Sequence, residues 1–257
     1  VRRHGRFWDD DSMTPRETLT AIAGPTGDLG AAFYFAPETV AAGKELGLGG
    51  FPFYILGRGG ALGDVPAAVV SSAFGYFNPE AIAATWDKYR ERVPPTVAAQ
   101  AYWNECGKRG IEWFADLDGH LLGAYVEAAD IVIDHADLAA LPLFAGTAQL
   151  VCSDDIAGCA LQKAAVLREL RGSVHLCAVL ANGLSDAQAH AIKRPGDVAV
   201  FGWEEAPSVP IDGNQRMDRA EDLTNTMLER AFFALTSDQA DALIAGTQAM
   251  HAALPAR

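Results

Sequence analysis

Apolar positions recur at helical spacing along nearly the whole chain, and the strict alternation of a half-buried strand is scarce. Alanine and leucine, both good helix formers, are common. Turn and cap residues divide this pattern into elements. Thr14-Pro15-Arg16-Glu17 carries a capping hydroxyl, a proline at the first helical position and a glutamate three residues after the cap, so a helix starts there. Pro37-Glu38 opens a second helix, running to Gly47. Glycine pairs bracket a very apolar helix from Phe51 to Arg58. Asp64-Val65-Pro66 starts the next, and Asn78-Pro79-Glu80 caps one that runs to about Val93, where Pro94-Pro95 breaks the chain. Residues 96–117 and 119–135 read as longer amphipathic helices, and Leu141 to Ser153 as a mixed connector. Asp154 or Asp155 caps a helix to about Arg171. Helices near 173–182, 185–192 and 216–234 follow, Glu204 to Gly213 is a proline-rich loop, and Ser237-Asp238 caps the last helix. The pattern predicts an all-α fold.

Residues 50–68 lie over residues 172–190 without a gap, with Leu62 meeting Leu184 and Asp64 meeting Asp186. Trp86 and Trp203 fall in roughly equivalent places downstream. Both blocks read as helix, glycine turn and aspartate-capped helix, the shape of a helix-turn-helix unit. Two explanations stay open: a real repeat, or coincidence in a chain rich in alanine and glycine.

Composition narrows the class. The chain has 257 residues and is 50% hydrophobic, enough to build a sizeable core without disulfides and too apolar for a disordered chain. It carries 20 basic against 33 acidic residues, a net charge of −13. Such a charge repels phosphate, and the expectation is no nucleic-acid partner. No apolar run reaches bilayer length, so no membrane partner is expected either. The four cysteines, Cys106, Cys152, Cys159 and Cys177, are scattered without a C-x-x-C pair and read as reduced thiols of a cytoplasmic protein. Residues 1–13 read as a flexible extension ending at a candidate start, Met13, with no secretion signal. Residues 14–150 are expected to form an N-terminal helical domain, and 151–257 a degenerate winged-helix-like unit with dimerisation helices.

Two residues stand out chemically. Arg58 ends the apolar helix, and a guanidinium there needs a carboxylate partner or a bound anion. A salt bridge, compensation of the helix dipole, and a substrate carboxylate or phosphate are all open. His175 lies between a charged helix end and an apolar helix, and serves either as a general acid or base or as a satisfied core histidine. Arg168 and Glu169 are near enough in sequence to orient it. Cys152 and Cys159 are spaced to share a helix face, but no zinc spacing is present, and neither a metal nor a cofactor is expected. There is no G-x-S-x-G and no P-loop lysine, and no strand precedes Gly57-Arg58-Gly59-Gly60, so a dinucleotide cradle is not expected. Aromatic residues crowd the N-terminal third, either as core or as the wall of an apolar ligand pocket.

Phe33-Tyr34-Phe35-Ala36-Pro37-Glu38, Gly57-Arg58 with Ala61-Leu62-Gly63, and Phe77-Asn78-Pro79 are similar to a known pattern. So are Leu143-Phe144-Ala145 and Leu167-Arg168-Glu169 with Arg171-Gly172 and His175. Together they resemble the SalK-like, winged-helix-related family of actinobacteria, some of whose members sit in natural-product gene clusters. The resemblance runs from about Met13 to Trp203. It departs at Leu170, where the family has histidine, and at Ser173-Val174, where it has aspartate-glycine. The family also has a longer winged-helix portion beyond the position of Trp203, so the wing is shortened or missing here. Residues 216–252 resemble the terminal helices by which MarR-type regulators dimerise, with Ala231, Phe232, Phe233, Leu235 and Leu243 as the apolar contact and a homodimer as the expectation.

Two functional expectations follow. The first is a cofactor-independent acid–base enzyme of natural-product metabolism, performing a cyclisation, isomerisation or hydrolysis. His175, Arg58 and Glu169 would be catalytic, and Tyr34, Phe53, Tyr54, Phe77, Arg168 and Arg171 would bind a small apolar or aromatic ligand bearing an anionic or carbonyl group. The second is a non-catalytic MarR-like ligand-binding or regulatory protein that has lost DNA binding.

Overall fold

The structure, a computed structural model, describes residues 13–256. The expected extension over residues 1–13 falls almost wholly outside them. Among the described residues there are twelve α-helices and no strand, in agreement with the all-α expectation. None of these helices is long and apolar enough to cross a membrane.

The helices are α1 (Pro15–Ala32), α2 (Pro37–Glu45), α3 (Gly50–Gly59), α4 (Ala67–Phe74), α5 (Pro79–Arg90), α6 (Pro95–Trp113), α7 (Gly119–His135), α8 (Pro142–Thr147), α9 (Ile156–Ala181), α10 (Asp186–Lys193), α11 (Gly213–Phe232) and α12 (Ser237–Ala252). Local chemistry sets most of the starts. Thr14 and Glu17 form a reciprocal capping box before Pro15. Asn78 accepts from the Glu80 N–H, and Asp155 accepts from the N–H groups of Ala157 and Gly158.

Several expected boundaries shift. The helices expected to 171 and from 173 are one continuous 26-residue helix, α9. Gly172 does not break it, because neighbouring packing outweighs the roughly 1 kcal/mol that glycine costs inside a helix. The connector from Leu141 contains the short helix α8. The helix expected over 216–234 begins earlier, at Gly213, and ends at Phe232. The last helix is capped by Thr236, in a box with Gln239, and not by Ser237. Asp64 does not cap α4; it pairs with Arg90 at 2.7 Å, and Pro66 stands at the cap position.

α9 is the axis of the molecule. Its buried Leu161, Ala164, Leu167 and Leu170 belong to one core that also takes Leu19 and Ile22 of α1, Ile55 of α3, Tyr125 of α7 and Leu243 of α12. This packing corrects the expected dimer surface. Ala231, Phe232, Leu235 and Leu243 are all buried within the chain itself, so the apolar faces of α11 and α12 are spent on its own core; Phe233 alone of that group is exposed. A smaller cluster joins Ala178, Val179, Leu184, Ala189, Met217 and Ala220, where α9, α10 and α11 meet.

Two helix–turn–helix connections stand out, and the first is not the one expected over residues 50–68, where α3 leads through a short turn into an α4 that Asp64 does not cap. In the first, α4 turns into α5 through residues 75–78, where Gly75 has φ 56° and Tyr76 φ 58°. In the second, α9 turns into α10 through residues 182–185, where Gly183 has φ 72°. The second helix of that unit starts with a capping box between Ser185 and Gln188. The two tryptophans of the candidate repeat differ in use: Trp86 donates to the Val65 carbonyl and Trp203 to that of Tyr76.

Candidate functional site

The site grows from one ion pair. Arg58 leaves the last turn of α3 and meets Glu169, midway along α9, in a two-pronged contact: Nε to Oε1 at 2.7 Å and Nη2 to Oε2 at 2.7 Å. Both side chains are largely out of solvent, at 12% and 4% exposure. Arg58 Nη1 donates to the Tyr54 hydroxyl at 3.0 Å, and the guanidinium lies 4.4 Å from the centre of the Phe74 ring. Glu169 Oε1 also accepts from the Tyr34 hydroxyl at 3.0 Å and from Arg168 Nη1 at 3.3 Å. Burial alone would raise the Glu169 pKa. The charges and hydrogen bonds of Arg58 and Arg168, with the Tyr34 hydroxyl, overcome it and hold the carboxyl at about 2. Glu169 is therefore ionised throughout the neutral range and poorly matched to proton transfer there.

In front of this pair opens a cavity of about 350 Å³. Arg58, Glu169, Arg168, Arg171, His175, Tyr54 and Phe77 all line it. Tyr34 and Phe53 do not. Tyr34 stands behind the ion pair as a hydrogen-bonding brace, and Phe53 is buried edge-on against Tyr102, with ring centres 5.0 Å apart.

The cavity takes its remaining walls from two of the N-terminal aromatics and from residues that no sequence motif singled out. Phe74 of α4 and Tyr76 of the following turn line it, as do His190 and Lys193 of α10, Arg194, Phe201 and Glu221 of α11. Phe77, Phe201 and His190 form a stack, with ring centres 4.2 Å and then 3.8 Å apart. Lys193 and Arg194 show in the sequence only as one basic pair, and nothing local reveals that they face Arg171. The lining carries five cations, Arg58, Arg168, Arg171, Lys193 and Arg194, against two carboxylates, in a chain whose net charge is −13. Local positive potential thus persists against the global charge.

Three buried polar atoms in this wall have no hydrogen-bond partner among the described residues: Thr26 Oγ1, the Tyr76 hydroxyl and His190 Nε2. Buried polar groups are ordinarily satisfied, so three orphans in one wall mark an unusual local packing. Tyr76 also holds a left-handed backbone that is unfavourable for a bulky residue.

His175 sits at the α9–α11 contact. The Thr224 hydroxyl donates to the Ala220 carbonyl at 2.6 Å, so its oxygen accepts from His175 Nδ1–H at 3.0 Å. That tautomer leaves Nε2 as a lone pair 3.9 Å from Glu221 Oε1. Glu221 in turn accepts from Arg171 at 2.6 Å and Lys193 at 3.4 Å. Burial lowers the His175 pKa; Glu221 opposes this, and Arg171 and Lys193 reinforce it. The folded protein therefore favours neutral His175. Its contribution is complete above the unfolded value of about 6.5 and declines as pH falls through it. A His175→Gln variant should flatten the slope of urea midpoint against pH between about pH 7 and 5. An unchanged slope would assign that titration to another group.

Among the described residues, no group of three or more His, Cys, Asp or Glu side chains is arranged to hold a metal ion. Cys152, expected on a helix face with Cys159, precedes the helix instead.

No curated protein and no solved structure matches the chain. A helix-turn-helix family matches residues 21–206, a span that includes both helix–turn–helix units and every cavity residue named above except Glu221. The match overturns the expectation of no nucleic-acid partner, and with it that of lost DNA binding. Helix-turn-helix units are built to present a helix to a duplex. The net charge is a sum over the whole chain and does not fix the potential at any one face. Over nearly three-quarters of its length, this chain is a member of a helix-turn-helix family.

Proposed function

We propose that this protein is a ligand-responsive helix-turn-helix regulator, a nucleic-acid reader whose affinity is set by a small molecule in the cavity. One observation carries the reading: the cavity is walled by parts of both helix–turn–helix units, Phe74 and Tyr76 of the first and His190 and Lys193 of the second. A guest in the cavity touches the turn before α5 and the body of α10 together. It can therefore stabilise one arrangement of the two units over another. Aromatic rings suit an apolar body, and the excess of cations suits an anionic group.

The SalK-like relationship belongs to the same proposal. It is supported by the convergence of Arg168, Glu169, Arg171, Gly172 and His175, which carry the resemblance, on one cavity wall. That relationship implies a setting in natural-product metabolism, and a reader of the chromosome works in the cytoplasm.

The enzyme reading keeps one observation in its favour, the uncommitted Nε2 of His175 beside Glu221. The other two groups assigned to catalysis speak against it. Glu169 is held ionised, and Arg58 spends donors from all three of its nitrogens on Glu169 and Tyr54.

The test is selection from a random-sequence duplex library at about 0.15 M salt. The proposal expects enrichment of a shared sequence, with affinity falling steeply as salt rises. A pool that stays random through successive rounds removes the regulator reading.

A further inference from the structure

Five cations line the cavity, and three of them have already given their donors away. Arg58 commits all three of its nitrogens to Glu169 and Tyr54. Arg171 gives Nη2 to Glu221 at 2.6 Å and Nη1 to Asn225 Oδ1 at 3.4 Å. Lys193 gives Nζ to Glu221 at 3.4 Å. Arg194 and Arg168 remain. Arg194 closes α10 and is exposed, so water and salt screen its charge.

Arg168 stands in the wall itself, with its side chain 29% exposed, and it is fixed from three sides. Its stem lies over Gly30 of α1, where a Cβ would stand 2.7 Å from Arg168 Cβ and 2.8 Å from its Cδ. Nη1 donates to the Tyr34 hydroxyl at 2.9 Å and to Glu169 Oε1 at 3.3 Å. The guanidinium carbon lies 5.0 Å from the centre of the Tyr34 ring. These hydrogen bonds use Nη1 alone. Nε and Nη2 donate to nothing among the described residues. Together they form the side-on edge of a guanidinium, the edge that grips a carboxylate with two parallel hydrogen bonds. The charges agree. Glu169 gives both of its oxygens to Arg58, so one carboxylate serves two guanidiniums and a positive charge is left over.

We propose, on the reading that a small molecule occupies this cavity, that Arg168 determines its specificity by taking the carboxylate of an aromatic acid on its Nε–Nη2 edge. The ring of the acid lies against Phe74, Phe77 and Phe201 of the same cavity. Tyr34 and Glu169 hold Nη1 and so fix the direction of the edge. A neutral molecule of the same shape fills the ring site but returns no charge-assisted hydrogen bonds to the edge.

The experiment is calorimetric titration of the full chain with 2-naphthoate and with 2-acetylnaphthalene, a neutral ketone of nearly the same shape. The wild type should bind naphthoate about tenfold or more tightly than the ketone, the effect of hydrogen bonds between charged partners. Arg168→Met matches the length of the stem and removes the edge, and it should weaken naphthoate far more than the ketone. Arg168→Lys keeps the charge without the fork and should also lose most of the preference; it decides the matter if the methionine variant does not fold. Arg194→Met should reduce the preference by less than Arg168→Met does. A purely structural Arg168 would weaken both probes alike, and that result would overturn the proposal. So would a wild type without the preference, a preference that survives both Arg168 changes, or a larger loss in Arg194→Met. No nucleic acid enters the titration. A chain that ignores every duplex yet shows this preference would sink the regulator reading and leave the assignment of Arg168 intact.

Discussion

Replacing Glu169 by glutamine is expected to destabilise the protein by about 3 to 5 kcal/mol, because it leaves the buried Arg58 guanidinium without its counter-charge. Glutamine is nearly the same size, so the loss measures charge and hydrogen bonding, not volume. Arg58 cannot escape by losing its proton, since a guanidinium stays charged in proteins even without its partner. A double change, Arg58→Leu with Glu169→Leu, should recover most of the loss, because removing both charges removes the desolvation cost as well. The pair also predicts a pH response. Glu169 titrates near 2 in the folded protein against an ordinary 4.5, a difference worth about 3 kcal/mol. That stabilisation is complete above 4.5 and disappears as pH falls toward 2. Urea midpoints taken down this range should drop in the wild type and stay flatter in Glu169→Gln. A Glu169→Gln loss below about 1 kcal/mol would show that solvent reaches Arg58 and that the wall of the site is not dry.

Alanine at position 60 should cost about 3 kcal/mol, at the upper end of what overpacking does. Gly60 follows α3, and a Cβ there would run into the carbonyl oxygen of Pro95 at the start of α6, with the Pro95 carbonyl carbon at 2.7 Å and Ala99 Cβ at 3.1 Å. The obstacle is backbone, so relief requires α3 and α6 to move apart. α3 carries Arg58 and Tyr54, so the same movement disturbs the ion pair. Gly172 is the contrast. It lies in mid-helix with nothing within 4 Å of a Cβ, and alanine there should stabilise the fold by up to about 1 kcal/mol. Thermal unfolding of the two variants side by side checks the packing. Similar Tm values for both would contradict the tight α3–α6 approach.

Helix starts are legible because caps act within one turn: Thr14 with Glu17, Asn78 with Glu80 and Asp155 with Ala157 all act as their residue types predict. Gly172 misleads for the opposite reason. Its tolerance in α9 depends on packing along the whole helix and not on its neighbours in sequence. The need of Arg58 for a partner is readable, but the partner lies 111 residues away, and the sequence offers Glu169 only as a neighbour of His175. The residues of α10 were beyond reach. His190 and Lys193 face Arg58 and Arg171 only because α9 runs on unbroken and then turns back at Gly183. The apolar stripes on α11 and α12 announce burial, but what covers them is the chain's own core and not a second chain. Amphipathic spacing tells that a face is covered and not what covers it.

The central claim is that occupancy of the cavity and the affinity for nucleic acid are coupled. By linkage, a guest that changes the affinity for the duplex must have its own affinity changed by the same factor. The most direct measurement is the Kd for a selected duplex, read by fluorescence anisotropy with and without 2-naphthoate, an aromatic anion matched to the rings and cations of the wall. The same titration is made on Gly172→Leu, whose side chain enters open space in the cavity while favouring the helix. The account predicts a shift of about tenfold or more in the wild type, or about 1.4 kcal/mol of coupling, and no shift in Gly172→Leu. An unchanged Kd at naphthoate concentrations that calorimetry shows to be saturating would contradict it, as would an equal shift in both proteins.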